Sequence, residues 1–230
     1  MFAKIVVVCI LSVFVGFANA AEKRIGIIVW DGVLTSDVIA PLEVFGHASS
    51  LSWFKDYEVT IINIGKKKQI KTNEGVILTV DSHLSELPVL DVLIMPSAYD
   101  MSPVLKNRQL IDYVRETAIK ADWMVSNCSG AFVLAEAGVL DGKSATTWAG
   151  GEDELQKAYP NVNVKSNTNL VVDEKVITSN GSLVSYQAAL HLLSKIASPK
   201  KAQEVADAIQ YSRFSEKPFN VIMASAKIRK

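Results

Sequence analysis

Cys128 is the residue in this chain best placed to do chemistry. It lies in the run Met124-Val125-Ser126-Asn127-Cys128-Ser129-Gly130-Ala131-Phe132, which passes from a strand pattern to a helix pattern with almost no loop. That is the pattern of a nucleophile elbow, in which a tight turn projects one side chain over the edge of a sheet. The small residues Ser129 and Gly130 permit the close backbone approach such a turn needs. A thiol there would sit at a helix N-terminus, whose dipole and free N–H groups favour the thiolate. The backbone N–H of Ser129 would face the same space and could hold a developing oxyanion. Any strand–turn–helix can contain a cysteine, so a buried, inert thiol is the plain alternative.

The elements that must position this turn follow from the hydrophobic pattern. Lys23 to Trp30 reads as a buried strand running into the turn Asp31-Gly32. Thr35 or Ser36 can cap a helix that extends through Ala48, made irregular at its start by Pro41. Tyr57 to Ile64 is a second strand, and Gln69 to Val80 reads as a small hairpin around Asn73-Glu74-Gly75. Val92 to Met95 is a short apolar strand ending at Pro96, and a helical period covers Pro103 to Lys120. Trp123 to Asn127 is a strand, Gly130 to Gly138 a helix, Ser144 to Thr147 a brief strand and Glu152 to Tyr159 a helix. Asn169 to Val172 and Lys175 to Thr178 form a hairpin around Asp173-Glu174. Two helices, Ser185 to Ile196 and Lys200 to Phe214, close the pattern. Strands alternating with helices predict an α/β fold with a mostly parallel sheet covered on both faces. Sites in such sheets lie outside the carboxyl ends of the strands. The turn after Trp30, the loop after Met95 and the turn after Asn127 meet that condition.

The N-terminal stretch adds a location. Met1 to Lys4 is a short basic region, Ile5 to Phe17 an apolar run of roughly 13 residues, and Ala18-Asn19-Ala20 a small-x-small cleavage box. A membrane-spanning helix needs about 20 apolar residues, so no stable membrane anchor is expected. Residues 1–20 therefore read as a signal peptide cleaved after Ala20, and residues 21–230 as one domain, periplasmic or secreted. The chain has two cysteines. Cys9 leaves with the signal, so the mature protein would hold Cys128 alone. Basic and acidic residues number 24 each, with no long basic run, so a nucleic-acid partner is not expected. Neither metal-ligand spacing nor a phosphate-binding glycine loop occurs, so no metal and no cofactor is expected.

The run Cys128-Ser129-Gly130-Ala131-Phe132, with Leu134-Ala135, Ala137-Gly138, Leu140-Asp141-Gly142 and Ala145-Thr146-Thr147, resembles the ThiJ/PfpI superfamily. Asp37-Val38-Ile39-Ala40-Pro41-Leu42-Glu43-Val44-Phe45 is similar to that family's acidic segment near the N-terminus. The resemblance implies a flavodoxin-like, glutamine-amidotransferase-like three-layer sandwich with a reactive cysteine on its elbow. It also implies that Asp37 stands beside the sulfur and shares its proton, each group perturbing the other's titration. Read without the resemblance, Asp37 is simply an acid at a helix N-terminus. Hydrolytic and glyoxalase-like members carry a histidine after the Ala-Thr-Thr run, where this chain has Trp148. His47, His83 and His191 lie in no motif that supplies the missing base, and His191 reads as a core or helix-surface residue. The loop after Met95, often Pro-Gly-Gly in the family, is Pro96-Ser97-Ala98-Tyr99. The Ala98 N–H is expected to serve as a second oxyanion donor, and Tyr99 and Trp148 are expected to shape the pocket.

Within the superfamily the chain looks most like the branch holding isonitrile hydratases and the sensor halves of some AraC-type regulators. A cytoplasmic DNA-binding regulator is not expected of an exported chain. Three readings stay open. The first is a cysteine-dependent hydratase or lyase acting on a small molecule, which needs no histidine. The second is a non-catalytic protein that binds a small ligand or senses oxidation through the thiol. The third is a cysteine amidase or peptidase, which the tryptophan disfavours. Family members are commonly dimers, so a homodimer is implied.

Overall fold

The computed structural model describes residues 23–54, 57–214 and 221–223; the signal segment 1–20 lies outside the described residues. The strands are β1 (Lys23–Val29), β2 (Tyr57–Asn63), β3 (Gln69–Lys71), β4 (Ile77–Thr79), β5 (Ser82–His83), β6 (Val92–Met95), β7 (Trp123–Asn127), β8 (Ser144–Ala145), β9 (Asn163–Val164), β10 (Leu170–Asp173), β11 (Val176–Ser179) and β12 (Val221–Met223). The helices are α1 (Thr35–Ser49), α2 (Ser102–Leu105), α3 (Arg108–Lys120), α4 (Gly130–Glu136), α5 (Glu152–Ala158), α6 (Val184–Ile196), α7 (Pro199–Ala208) and α8 (Tyr211–Phe214).

Eight strands form the central sheet in the order β12-β10-β11-β7-β6-β1-β2-β5. Every pairing in it is parallel except β10 with β11. Strands buried on both faces need apolar side chains in both directions. Val92, Leu93, Ile94 and Met95 of β6 are accordingly all buried. Helices α1, α6 and α7 pack together, as do α2, α3 and α4, so the predicted α/β architecture is observed. A single cluster of buried apolar side chains, from Ile25 to Ala206, runs through it.

Several boundaries differ from the sequence reading, each for a local reason. The helix expected over Pro103 to Lys120 is two helices. Asn107 separates them, with its side chain accepting the Leu110 N–H at the N-cap of α3. The last predicted helix also divides. Ser198 caps α7 by accepting the Lys201 N–H, with Pro199 at its start, and Gln210 at φ 64° breaks the chain before α8. The brief strand at Ser144 stays outside the main sheet and pairs with β9. His83 lies in β5 at the sheet edge.

Candidate active site

Because β1, β6, β7 and β11 run parallel, their carboxyl ends open on one edge of the sheet. The order of strands reverses between β1 and β6, the kind of crevice where α/β sheets place their sites. Asp37 stands in the first turn of α1. Ser97 and Ala98 follow β6, Cys128 follows β7, and Gly181 and Ser182 follow β11.

Cys128 takes a left-handed backbone conformation at φ 52°, which costs a non-glycine residue about 1–3 kcal/mol. Its neighbours fix that conformation. The Cys128 N–H donates to the Ser179 carbonyl at 2.9 Å, and the Thr147 hydroxyl donates to the Cys128 carbonyl at 2.9 Å. Two glycines make the turn sterically possible. A Cβ on Gly130 would lie 2.3 Å from the Met95 carbonyl oxygen, so only glycine lets α4 start this close to β6. A Cβ on Gly181, itself at φ 78°, would lie 2.4 Å from the Cys128 Cβ and 3.1 Å from Asp37 Oδ1. Gly181 thus sits where thiol and carboxyl converge.

Asp37 is fully buried, and its oxygens are filled by donors. Oδ1 accepts the Ser182 N–H and the Ser185 hydroxyl, each at 2.8 Å. Oδ2 accepts the Ser97 hydroxyl. The helix around it is anchored through its proline. Pro41 has no N–H for the Asp37 carbonyl, the partner a regular helix would supply. Asn127 Nδ2 donates to that carbonyl instead, at 3.2 Å. Asn127 Oδ1 accepts the Ser179 hydroxyl at 2.7 Å, tying α1, β7 and β11 beneath the elbow.

Burial pushes the Asp37 carboxyl above its ordinary range, although hydrogen bonds from Ser97, Ser185 and Ser182 oppose the shift. The Cys128 thiol is also raised, first by burial and further by the Asp37 charge; hydrogen bonds from Ser97 and Ser129 pull the other way. Burial thus opposes the thiolate-favouring effect expected of the helix N-terminus. Helix α4 spans Gly130–Glu136, about two turns. Burial favours the protonated thiol, and a nearby proton acceptor would assist its ionisation.

The sulfur opens on a cleft of ≈ 560 Å³. Apolar Leu34, Met101, Leu105 and Phe132 line it, together with Ala98, Ser129, Tyr99 and Trp148. Trp148 stacks on Phe132 with ring centroids 5.3 Å apart. Its indole lies where a Cβ on Gly151 would be, 2.0 Å from the ring, so a glycine makes room for the tryptophan. Tyr99 is 81% exposed and stands at the rim. The Ala98 N–H is taken up by Met101 Sδ at 3.2 Å, which leaves Ser129 as the expected backbone donor beside the thiol.

None of the three histidines lines the cleft. His47 ends α1, His83 bonds Glu86, and His191 is buried on α6 with its pKa lowered by burial to about 4. Among the described residues no group of three or more His, Cys, Asp or Glu could hold a metal ion. Sequence reasoning missed Ser97, Ser182, Ser185, Gly181 and Asn127. Ser97 lay in a loop already marked as a sheet-edge segment, and Pro41 announced a free helix carbonyl. The Ser182 and Ser185 contacts join residues about 145 apart in sequence and carry no local signal.

A parallel α/β sheet with a cysteine elbow and a buried carboxyl partner defines a class of thiol-bearing proteins. The chain belongs to the DJ-1/PfpI family, whose profile matches residues 23–195. It is 28% identical over 182 residues to isonitrile hydratase of Pseudomonas putida, covering 79% of this chain and 78% of that protein. It is 28% identical over 152 residues to protein dj-1beta of Drosophila melanogaster, covering 65% of this chain and 80% of that one. The crystal structure of a ThiJ/PfpI family protein from Pseudomonas syringae superposes with a TM-score of 0.73 at 20% identity, over 86% of this chain and 78% of that chain.

Proposed function

We propose that this protein is a cysteine-dependent hydratase or lyase, resembling isonitrile hydratase, that adds water to a small neutral carbon electrophile with an apolar body. The observation that carries the reading is the fully buried Asp37 carboxyl beside the Cys128 thiol, in a cleft without a histidine. In the proposed sequence Cys128 sulfur bonds to the electrophilic carbon while its proton passes to the Asp37 carboxylate. Asp37 returns that proton to the substrate. Water then adds at the same carbon, the carbon–sulfur bond breaks, and one water proton restores the thiol. The net change is the addition of one water. The Ser129 N–H holds negative charge as it develops at the sulfur and the attacked carbon.

Charge and shape limit the substrate. No lysine, arginine or histidine lines the cleft, whereas Asp100 and Glu154 do, so a carboxylate or phosphate on the substrate would meet repulsion. Phe132 and Trp148 supply stacking surface for an apolar body. The test is turnover of isonitriles matched in size but differing in charge, with the formamide product followed by NMR. Turnover of neutral members that disappears in Cys128→Ala is expected, with carboxylate-bearing members left untouched. Inertness of every neutral isonitrile would contradict the reading.

Oxidation sensing is the second reading, and the raised thiol pKa speaks against it, since peroxide attacks thiolates. An amidase or peptidase would need a base that the cleft does not contain. Export with cleavage after Ala20 belongs to the same proposal, and the N-terminal sequence of the protein recovered from the periplasm or medium tests it. So does a homodimer, tested by sedimentation velocity.

A further inference from the structure

Asp37 is held at both its backbone and its side chain by one closed ring of hydrogen bonds. Pro41 leaves the Asp37 carbonyl without its helical N–H, and Asn127 Nδ2 donates to that carbonyl at 3.2 Å. Asn127 Oδ1 accepts the Ser179 hydroxyl at 2.7 Å, and Ser179 Oγ accepts the Gly181 N–H at 3.2 Å. The next residue, Ser182, donates its N–H to Asp37 Oδ1 at 2.8 Å, which closes the ring. Asp37 and Ser179 are fully buried and Asn127 is 1% exposed. A buried polar network whose members are all satisfied holds a single arrangement, and removing one member leaves its partners unpaired.

We propose that Asn127 is the positioning residue of the Cys128–Asp37 pair. It ends β7 and directly precedes the cysteine, so its amide is carried by the same turn that sets the thiol. The two ends of that amide reach the two segments that place the carboxyl. One is α1, through the Asp37 carbonyl; the other is the turn after β11, through Ser179. Gly181 in that turn leaves the gap in which thiol and carboxyl meet, since a Cβ there would lie 2.4 Å from the Cys128 Cβ and 3.1 Å from Asp37 Oδ1. The Cys128 N–H, donated to the Ser179 carbonyl at 2.9 Å, ties the elbow to the same turn. An amide offers a donor and an acceptor on one short planar group, which is what a bridge between these two segments requires.

This role rests on the Cys128–Asp37 pairing of the hydratase reading, and its test does not need turnover. A carboxylate displaced from the thiol acts on it less strongly, because the interaction of two charges falls with distance. Loss of Asn127 is therefore expected to move the thiol titration toward that of Asp37→Asn. A general loosening of the core would do the same, and Pro41 separates the two causes. Alanine at 41 brings back the N–H that an α-helix directs at the carbonyl four residues earlier. It thus supplies Asp37 with the partner that Asn127 provides in the wild type. Asp100, Glu154 and Tyr99 are the other titratable groups lining the cleft with Cys128, and these variants leave them in place.

The experiment is a double-mutant cycle read by ultraviolet titration of the Cys128 thiolate, on the folded protein without substrate. Its corners are wild type, Asn127→Leu, Pro41→Ala and Asn127→Leu/Pro41→Ala. Asn127→Leu keeps the volume and loses both amide bonds, and is expected to lower the apparent thiol pKa by about 0.5 or more. In the Pro41→Ala background the same substitution is expected to move it by less than about half as much. Ser179→Ala, which opens the ring at another bond, shifts the titration in the same direction as Asn127→Leu. Should Asn127→Leu fail to fold by near-UV circular dichroism, Asn127→Ala supplies the same deletion. A titration unmoved by loss of the amide, or a shift of equal size in the two backgrounds, overturns the positioning role. If the cycle behaves as expected while neutral isonitriles go unconverted, the hydratase reading fails and the positioning role stands. If isonitriles are converted and the titration stays unmoved in Asn127→Leu, the positioning role fails and the hydratase reading stands.

Discussion

Two turns at opposite ends of β11 share nearly the same backbone conformation and differ in everything around it. Glu174, in the hairpin before the strand, has φ 51°; Cys128, bonded to the strand's last residue, has φ 52°. The Glu174 side chain is 71% exposed and pairs with Lys143 on the surface. Cys128 is held by Ser179 and Thr147 and crowded by Gly181, which also abuts the buried Asp37 carboxyl. A left-handed residue in a hairpin turn is a local matter of turn chemistry. The same strain at Cys128 is held in place by contacts from segments far apart in sequence, Thr147 and Ser179–Gly181. Strain held in place from several sides, at a group with perturbed titration, marks a functional position.

The comparison can be broken most sharply at the chemistry. Cys128→Ala and Asp37→Asn are each expected to lower turnover of a neutral isonitrile by about 10³-fold or more, whereas Glu174→Ala leaves it unaltered. Rates within tenfold of wild type in either site variant would remove the distinction between the two turns.

Packing comes next. Gly181→Ala brings a methyl to within 2.4 Å of the Cys128 Cβ at a positive φ, and is expected to cost about 3 kcal/mol in urea unfolding. Ala in place of Gly142, also at positive φ but with open space around it, should cost about 1 kcal/mol. Equal losses at the two glycines would mean that the elbow is not specially crowded.

Titration separates the site from the rest of the core. His191 has a folded pKa of about 4 against an ordinary 6.5, so the unfolded chain binds more protons between those values. Its contribution is present above 6.5 and is lost as pH falls toward 4, by at most about 3 kcal/mol. Urea midpoints at pH 7 and pH 5 should show a smaller difference in His191→Leu than in wild type. Asp37 acts with the opposite sign. Its pKa is raised from 3.8, so its contribution is present below 3.8 and declines as pH rises through the folded value.

The smallest effect tests the backbone itself. Cys128→Gly should be more stable than Cys128→Ala by about 1 kcal/mol, because glycine adopts positive φ without a Cβ penalty. Glu174→Gly should gain a similar amount over Glu174→Ala. Matching gains would establish that the two turns carry equal intrinsic strain and differ only in what holds them.

The sheet was legible in the sequence because β1, β6, β7 and β11 are short apolar runs separated by helical periods. Cys128 and Asp37 were legible through the motifs that flank them. Their titration was not, since the burial that raises both groups depends on packing from α1, α6 and three loops at once. Ser97 was visible as a departure from a glycine pattern, but its hydrogen bond to the buried Asp37 exists only once α1 packs over the end of β6. Trp148 could be placed near the thiol from sequence; the glycine at 151 that makes room for its ring could not.

The most direct test of the thiol–carboxyl pair is the ultraviolet titration of Cys128 thiolate in wild type and in Asp37→Asn. The account predicts an apparent pKa above the ordinary 9.0 in wild type, and a lower one once the neighbouring carboxylate is gone. An ordinary value that does not move with the substitution would contradict it.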